Sequence, residues 1–366
     1  MSSYDLTTAC GLESYLTSKS IDHVSVTPLT GGTANYVYRV VLSSSQTLIY
    51  KHAADHLPVN HSFAIDPIRM GYEDRALEIL TPVLQTAVPE GDTKIVHLVS
   101  YDKEAKLLCM EDAGGPSLKA IYQDSNIDVV AIGRRAADWV AALHMCSRTT
   151  SLSLTDPHDL QANNPVGVSI YRYPYQGLRQ ALADFGHDAT FAEFINEEYG
   201  SRLATENECV VHGDFWSGNV LVGQGAGDVE RAGLTVIDWE LVRRGNPATD
   251  VAQFGAEAFL LDRFRGGRGL LPAFLDAYIR AREQETGDGS VRLGRKWVQR
   301  MAVHWGVHVS FWPTRVSWTD REGGQKLVDI GVKTMKAAVA EDWEALQKSE
   351  LFEHVGPQWG EIWRRV

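Results

Sequence analysis

Two short apolar runs, each ending in polar residues, constrain this chain more than any other feature. One reads Val210-Val-His-Gly-Asp-Phe-Trp-Ser-Gly-Asn219, and the other ends at Ile237-Asp-Trp-Glu240. Packed strands of this kind can hold Asp214, Asn219 and Asp238 at one mouth. Two carboxylates and an amide form a hard oxygen set suited to a small divalent cation, and Asp214 is left to take a proton from a hydroxyl. Any one of these residues alone reads as a turn residue satisfying its own backbone. The set together points to a site.

The surrounding pattern fits two units. A chain of 366 residues predicts about two domains. Residues 36–42 and 47–53 read as a hairpin across Ser43-Ser-Ser-Gln46, rich in β-branched and aromatic residues. Asp66-Pro67 predicts the start of a helix reaching about Leu84. A second hairpin is expected from residues 94–101 and 105–110, before a break at Asp112-Ala-Gly-Gly-Pro116. Beyond it Val129, Ile132, Ala136, Val140 and Leu143 recur at helical spacing, and further helices are expected near residues 176–185, 190–203, 270–285 and 297–309. Short strands fall at 209–212, 220–222 and 234–237. The fold class is therefore α+β, with a small antiparallel sheet lobe carrying one helix over residues 1–111 and a larger, mainly helical lobe over 112–366.

Charge and cysteines exclude several functions. Thirty-five basic against 47 acidic residues leave a net charge of −12, which argues against a dedicated nucleic-acid partner. No window approaches the length of apolar sequence a membrane span needs, and the first residues show no secretory pattern. The four cysteines stand singly, without metal or redox spacing. A cytoplasmic protein with reduced thiols is the expectation, with its oligomeric state left open.

The segment His212-Gly-Asp214 with Asn219, followed by Asp238-Trp-Glu240, resembles the aminoglycoside phosphotransferase and choline kinase branch of the protein-kinase-like fold. The resemblance implies a bilobal kinase fold and an ATP- and Mg²⁺-dependent transfer of phosphate to a hydroxyl of a small acceptor. By the same resemblance Asp214 is the catalytic base, Asn219 and Asp238 hold Mg²⁺, and Glu240 is a second acidic residue touching metal or substrate. Asp250 matches an aspartate that braces the catalytic loop. His144 resembles a helix-terminal histidine with a packing or capping role.

The N-terminal third supplies the matching nucleotide parts. Thr30-Gly31-Gly32-Thr-Ala-Asn35 fits a turn that closes over phosphates, although a Gly-Gly pair alone is usually just a turn. Lys51 lies in an apolar strand, where an inward ammonium needs a partner; Glu73 on the next helix is that partner, ahead of its neighbours Arg69, Asp74 and Arg75. Met110, Glu111 and Asp112 stand where the family's hinge reads adenine through its backbone.

Gly213 replaces the arginine of the protein-kinase loop, and only about ten residues separate Asp238 from Asp250. A platform for a polypeptide substrate is missing, so a small acceptor is expected. Trp305 and Trp312, with Phe311 and Trp318, are candidate pocket walls, and Glu257 and Asp262 are nearby carboxylates for an amine. The motifs are also similar to those of kinases acting on hydroxytryptamine-like amines and on methylthioribose, so a hydroxylated amine, a methylthio-sugar or another amino-alcohol is the expected acceptor. His304 and His308, four apart on a helix, read as core or pocket-wall residues, since the zinc-protease pattern is absent. A nucleotide-binding pseudokinase acting as scaffold or sensor is the rival, but such proteins usually lose one of the three residues retained here at Lys51, Asp214 and Asp238.

Overall fold

The computed structural model describes residues 4–30, 32–88, 93–223, 233–284 and 293–365. Helix α1 (Ala9–Ser18) precedes strands β1 (His23–Leu29), β2 (Tyr36–Leu42) and β3 (Thr47–His52). A small ribbon of β4 (His56–Leu57) and β5 (Asn60–Ala64) leads to α2 (Arg69–Ala87). Then come β6 (Thr93–Ile95), β7 (Leu98–Asp102) and β8 (Leu107–Glu111). The larger sheet has the order β1-β2-β3-β8-β7, every neighbouring pair antiparallel.

The period-2 alternation of these strands decides which residues face the cleft. Tyr38, Val40, Leu48, Tyr50, Leu107 and Cys109 face one way and pack with Leu12, Tyr15 and Leu16 of α1. The alternate residues, Leu108 and Met110 among them, face α2 and join the main core through Met70, Ala76 and Leu77. Lys51 falls on this second side, paired across the ladder with Val37 and Leu108. Its strand position therefore aims it at α2.

The helical part begins with α3 (Leu118–Ile121), α4 (Val129–Cys146), α5 (Pro165–Asp184) and α6 (Ala189–Ile195). The Asp128 side chain caps α4 by accepting from Ala131 N at 2.9 Å, and the five apolar residues of the predicted stripe are all buried. Strands β9 (Cys209–Val211), β10 (Val220–Val222), β11 (Leu234–Val236) and β12 (Arg243–Gly245) form two small sheets, of which β9 pairs with β12. Helices α7 (Ala248–Arg265), α8 (Leu270–Gln284), α9 (Arg295–Phe311), α10 (Arg321–Val339), α11 (Trp343–Gln347) and α12 (Trp359–Ile362) complete the body.

Several expectations are corrected. Residues 94–101 do not form one hairpin strand. The run breaks at Val96-His97: β6 pairs in parallel with β11, and only β7 pairs with β8. Helix α2 starts at Arg69, and Asp66 instead accepts from Ile68 N at 2.8 Å in the preceding turn. The helix expected over 190–203 divides into α6, a π turn and a 3₁₀ turn. Residue 285, the expected end of α8, lies outside the described residues. None of the four cysteines is in a disulfide, and among the described residues no helix is long and apolar enough to cross a membrane.

Candidate active site

The fully buried strand β9 delivers His212-Gly213-Asp214. Gly213 has φ +82°, and a Cβ there would lie 1.9 Å from the Leu241 carbonyl oxygen; no other residue fits that turn. Asp250, near the start of α7, holds the turn by accepting from His212 N at 2.7 Å and Gly213 N at 3.0 Å. His144, near the end of α4, lies 3.1 Å from the same carboxylate. Burial pushes the His144 imidazole below its ordinary value. The neutral tautomer that satisfies both contacts donates from Nε2 to Asp250 and accepts at Nδ1 from the Tyr278 hydroxyl, 3.0 Å away. Burial works against the Asp250 charge, but the His144 hydrogen bond and nearby cationic groups outweigh it and hold the carboxyl below its usual range.

Asp214 is fixed from two sides. Gln253 Nε2 donates to Oδ1 at 2.6 Å, and Asn219 Nδ2 donates to Oδ2 at 3.0 Å. Asn219 also donates to the Asp214 carbonyl at 2.9 Å, which turns its own Oδ1 into an available oxygen ligand. Burial, reinforced by the Asp238 charge, pushes the Asp214 carboxyl up to about 7. A carboxylate of that strength is well matched to proton transfer near neutral pH.

Asp238 follows β11 with φ +68°, a left-handed conformation that aspartate tolerates better than most residues. Its side chain is a third exposed and accepts from Lys51 Nζ. Lys51 also donates to Glu73 Oε2 at 2.7 Å, and Glu73 Oε1 accepts from Trp239 N at 3.2 Å. Burial depresses the Lys51 ammonium, but Asp238, Glu73 and Glu240 outweigh it and hold the group charged. Burial also opposes the Asp238 charge; Lys51 reverses the balance and lowers that carboxyl.

Glu240 occupies a different environment from a solvated charge. Its Oε2 accepts from Asn35 Nδ2 at 2.6 Å and Arg69 Nε at 3.1 Å. Arg69 is completely buried and also donates to Asn35 Oδ1 and to the carbonyls of Ala34, Ala54, Ile65 and Asp66. The Asn35 amide is thus committed to this clasp, and Glu240 ties the turn before β2 to the turn after β11. Gly32 is exposed in that turn with open space around it; Gly31 lies outside the described residues.

Ligand oxygens of Glu73, Asp238 and Glu240 come within 4.8 Å of one another. With Asp214 they make four carboxylates around two cations, Lys51 and Arg69. The residual negative charge and hard oxygen donors fit a divalent cation such as Mg²⁺. Of the oxygens, Asn219 Oδ1 and the one-third-exposed Asp238 carboxylate are the ones least consumed by protein contacts.

The hinge residues are internally engaged. Met110 is buried in the core, and Glu111 N donates to His97 O at 2.9 Å. Glu111 also pairs with Lys94 at 2.9 Å, and Asp112 with Arg39 at 2.6 Å.

On the far side of Asp214 lies a cleft of about 50 Å³, with Tyr171, Gln253, His304, His308 and Trp312 among its walls. His304 stacks on Tyr171 at 4.9 Å and contacts the Tyr175 hydroxyl at 2.9 Å; burial holds its pKa well below the ordinary value, so it is neutral. His308 Nε2 lies 3.2 Å from Glu257, which also accepts from Lys119 at 3.3 Å. Trp305 is not a wall: it is fully buried against Phe259 in the core. Phe311 is likewise buried, and Asp262 caps α8 by accepting from Gly269, Leu270 and Leu271. Trp318 lies beneath the Lys119 ammonium, 4.7 Å away. Gln253, Tyr171 and Arg69 escape sequence reasoning. Only Gln253 carries a signal, lying one helical turn beyond Asp250.

A sheet lobe with its paired lysine, facing a helical body with an Asp–Asn loop and a second aspartate, is the architecture of a protein-kinase-like phosphotransferase. The chain belongs to the phosphotransferase enzyme family, whose profile matches residues 25–293, and it is a small-molecule kinase. It is 26% identical over 360 residues to 4-hydroxytryptamine kinase of Psilocybe cyanescens, covering 92% of this chain and 94% of that one. The corresponding Psilocybe cubensis kinase is 25% identical over 354 residues, covering 90% and 92%. Among solved structures, a Ralstonia eutropha protein assigned as an aminoglycoside phosphotransferase superposes with a TM-score of 0.50 at 16% identity. That match covers 93% of this chain and 98% of that one and speaks for the fold.

Proposed function

We propose that the protein transfers the γ-phosphate of ATP, in the presence of Mg²⁺, to the hydroxyl of a small hydroxylated aromatic amine of the hydroxytryptamine kind. The observation that carries this reading is the convergence of Lys51, Asp214, Asn219 and Asp238 on one cleft, through the contacts Lys51–Asp238 and Asn219–Asp214. Residues 1–111 would serve as the nucleotide half and 112–366 as the acceptor half.

In this reading Lys51, held by Glu73, positions the α- and β-phosphates. Asn219 and Asp238 would hold Mg²⁺, which when bound neutralises charge on the phosphates. Glu240 serves as a positioning residue, keeping the turn containing Gly31 and Gly32 over the cleft through Arg69 and Asn35. The backbone at Met110, Glu111 and Asp112 borders the adenine. Asp214 accepts the proton of the acceptor hydroxyl as its oxygen attacks the γ-phosphorus. The bond from that phosphorus to the bridging oxygen breaks, and ADP departs with the electron pair. The chain's contribution is placement and charge compensation.

The acceptor class draws support from the cleft walls and from the two curated relatives, whose named substrate is such an amine. Trp312 offers a flat face, whereas the Tyr171 ring is already packed against His304 and Arg243, and neutral His304 adds no competing charge. With His308 donating Nε2–H to Glu257, its Nδ1 remains a lone-pair acceptor for an ammonium N–H. A phosphate-transfer screen with Mg²⁺-ATP over hydroxyindole amines, methylthioribose, amino-alcohols, ketosamines and aminoglycosides tests this. Preferred turnover of a hydroxyindole amine is expected. Preferred turnover of methylthioribose or an aminoglycoside would overturn the acceptor class, and nucleotide binding without transfer to any of them would favour the pseudokinase.

A further inference from the structure

A cavity of about 440 Å³, larger than the cleft before Asp214 and sharing none of its lining residues, is bordered by His144, the partner of Asp250. Five cationic side chains line it, Arg148, Arg202, Arg282, Lys296 and Arg300, against the two carboxylates of Glu206 and Glu208. Glu206 is consumed by a two-point pair with Arg300, at 2.6 and 2.8 Å. Lys296 and Arg282 form no ion pair with a described residue. In a chain of net charge −12, this is a local reversal of sign inside a concave surface.

Arg282 is the informative member. It is half-buried, yet among the described residues its guanidinium makes one hydrogen bond, from Nη1 to the Tyr278 hydroxyl at 2.9 Å. Five donors are available on that group, and a cation partly removed from water is costly without an anion. The Tyr278 hydroxyl continues to His144 Nδ1 at 3.0 Å, His144 Nε2 reaches Asp250 at 3.1 Å, and Asp250 holds the His212 and Gly213 amides. The cavity wall and the catalytic loop are thus joined by one chain of hydrogen bonds.

We propose that this cavity binds a compact polyanion, a small molecule bearing phosphate or clustered carboxylate groups, through Arg282 and Lys296. Its volume lies in the range of small-molecule sites; Arg300 is paired with Glu206 and Arg202 with Glu198, and Arg282 and Lys296 together call for more than one negative charge. Occupancy completes the hydrogen bonding of Arg282 and stiffens the Tyr278–His144–Asp250 support of the catalytic loop. The site is separate from the phosphate-transfer cleft and does not depend on the acceptor.

Calorimetric titration of the full chain with pyrophosphate and with citrate, in metal-free buffer, tests the site. At least one probe is expected to saturate, and which one does so distinguishes phosphate from carboxylate ligands. Lys296→Gln, an exposed change that spares folding, should weaken binding about threefold, and Arg282→Gln about tenfold. Lys51→Ala should leave this binding unchanged. Absence of saturation with a Kd below about 1 mM for both probes would overturn the proposal. So would binding lost in a Lys51→Ala protein whose circular dichroism shows it folded, and untouched in Lys296→Gln. Amide hydrogen exchange at residues 212 and 213 should slow on binding; unchanged exchange would remove the link to the catalytic loop.

Discussion

Lys51 on β3 donates directly to Asp238 in the turn after β11, so the sheet lobe and the helical body are joined by an ion pair at the cleft itself. The ammonium has Glu73 as its second partner, and Glu73 is fully buried. A triphosphate entering the cleft would offer Lys51 oxygens in place of Asp238 and free that carboxylate for a metal. Lys51→Ala should therefore raise the Kd of a non-hydrolysable ATP analogue by about tenfold or more, measured calorimetrically with Mg²⁺. It should also lower stability by up to about 3–5 kcal/mol in urea unfolding, because Glu73 loses its cation. Unchanged nucleotide affinity would remove Lys51 from the role.

The pH dependence follows from Asp214. Its carboxyl is pushed up to about 7, and in the proposed role it must be ionised to take the proton. Turnover should rise about tenfold per pH unit below that value and level off above it. Gln253 donates to the ionised form, which lowers the pKa, so Gln253→Leu should move the midpoint to higher pH. A pH–rate profile of both proteins checks the direction; an unmoved or lowered midpoint would contradict it. The sign for stability is opposite to that of activity. A folded pKa above the unfolded one gives a contribution present at low pH and lost as pH rises through about 7.

Arg69 and Glu240 form a buried pair with Asn35 between them. Arg69→Met should cost about 3–5 kcal/mol, because it strands a buried carboxylate. Adding Glu240→Gln should restore part of that loss. A double-mutant cycle by chemical denaturation should give a coupling of at least about 1 kcal/mol, and additive losses would show that the clasp carries no energy of its own.

Gly213→Ala tests the backbone of the catalytic loop. The left-handed φ and the 1.9 Å approach of a Cβ to Leu241 O predict a loss of about 2–4 kcal/mol. Unfolding curves within about 0.5 kcal/mol of the parent would mean the turn relaxes freely.

What sequence reveals here depends on how local the physics is. Lys51, Asp214, Asn219 and Asp238, which the structure brings together, each stand at the polar end or odd position of an apolar run, whereas Glu73 is marked only as a carboxylate on the next helix able to pair with Lys51. Trp305 and Trp312 share a compositional signal, yet one is core and the other cleft wall, since flanking sequence does not say which face of α9 meets α7. Helix α7 was invisible because it is buried on nearly every side, so no apolar stripe marks its period. Strand β6 is three residues long and finds its partner in β11, far along the chain, which no neighbouring residue encodes. In the sequence Arg69 stands out only as a neighbour of Glu73; its role arises from four turns meeting in space.

The central claim is that Asp214 takes the acceptor proton while others hold the nucleotide. Asp214→Asn preserves shape and removes the base, and the decisive measurement is its turnover alongside its affinity for Mg²⁺-nucleotide. Turnover is expected to fall by at least about 10²-fold, about 2.7 kcal/mol in barrier, with nucleotide affinity kept within about threefold. Turnover close to that of the parent protein, with the same nucleotide affinity, would contradict the account.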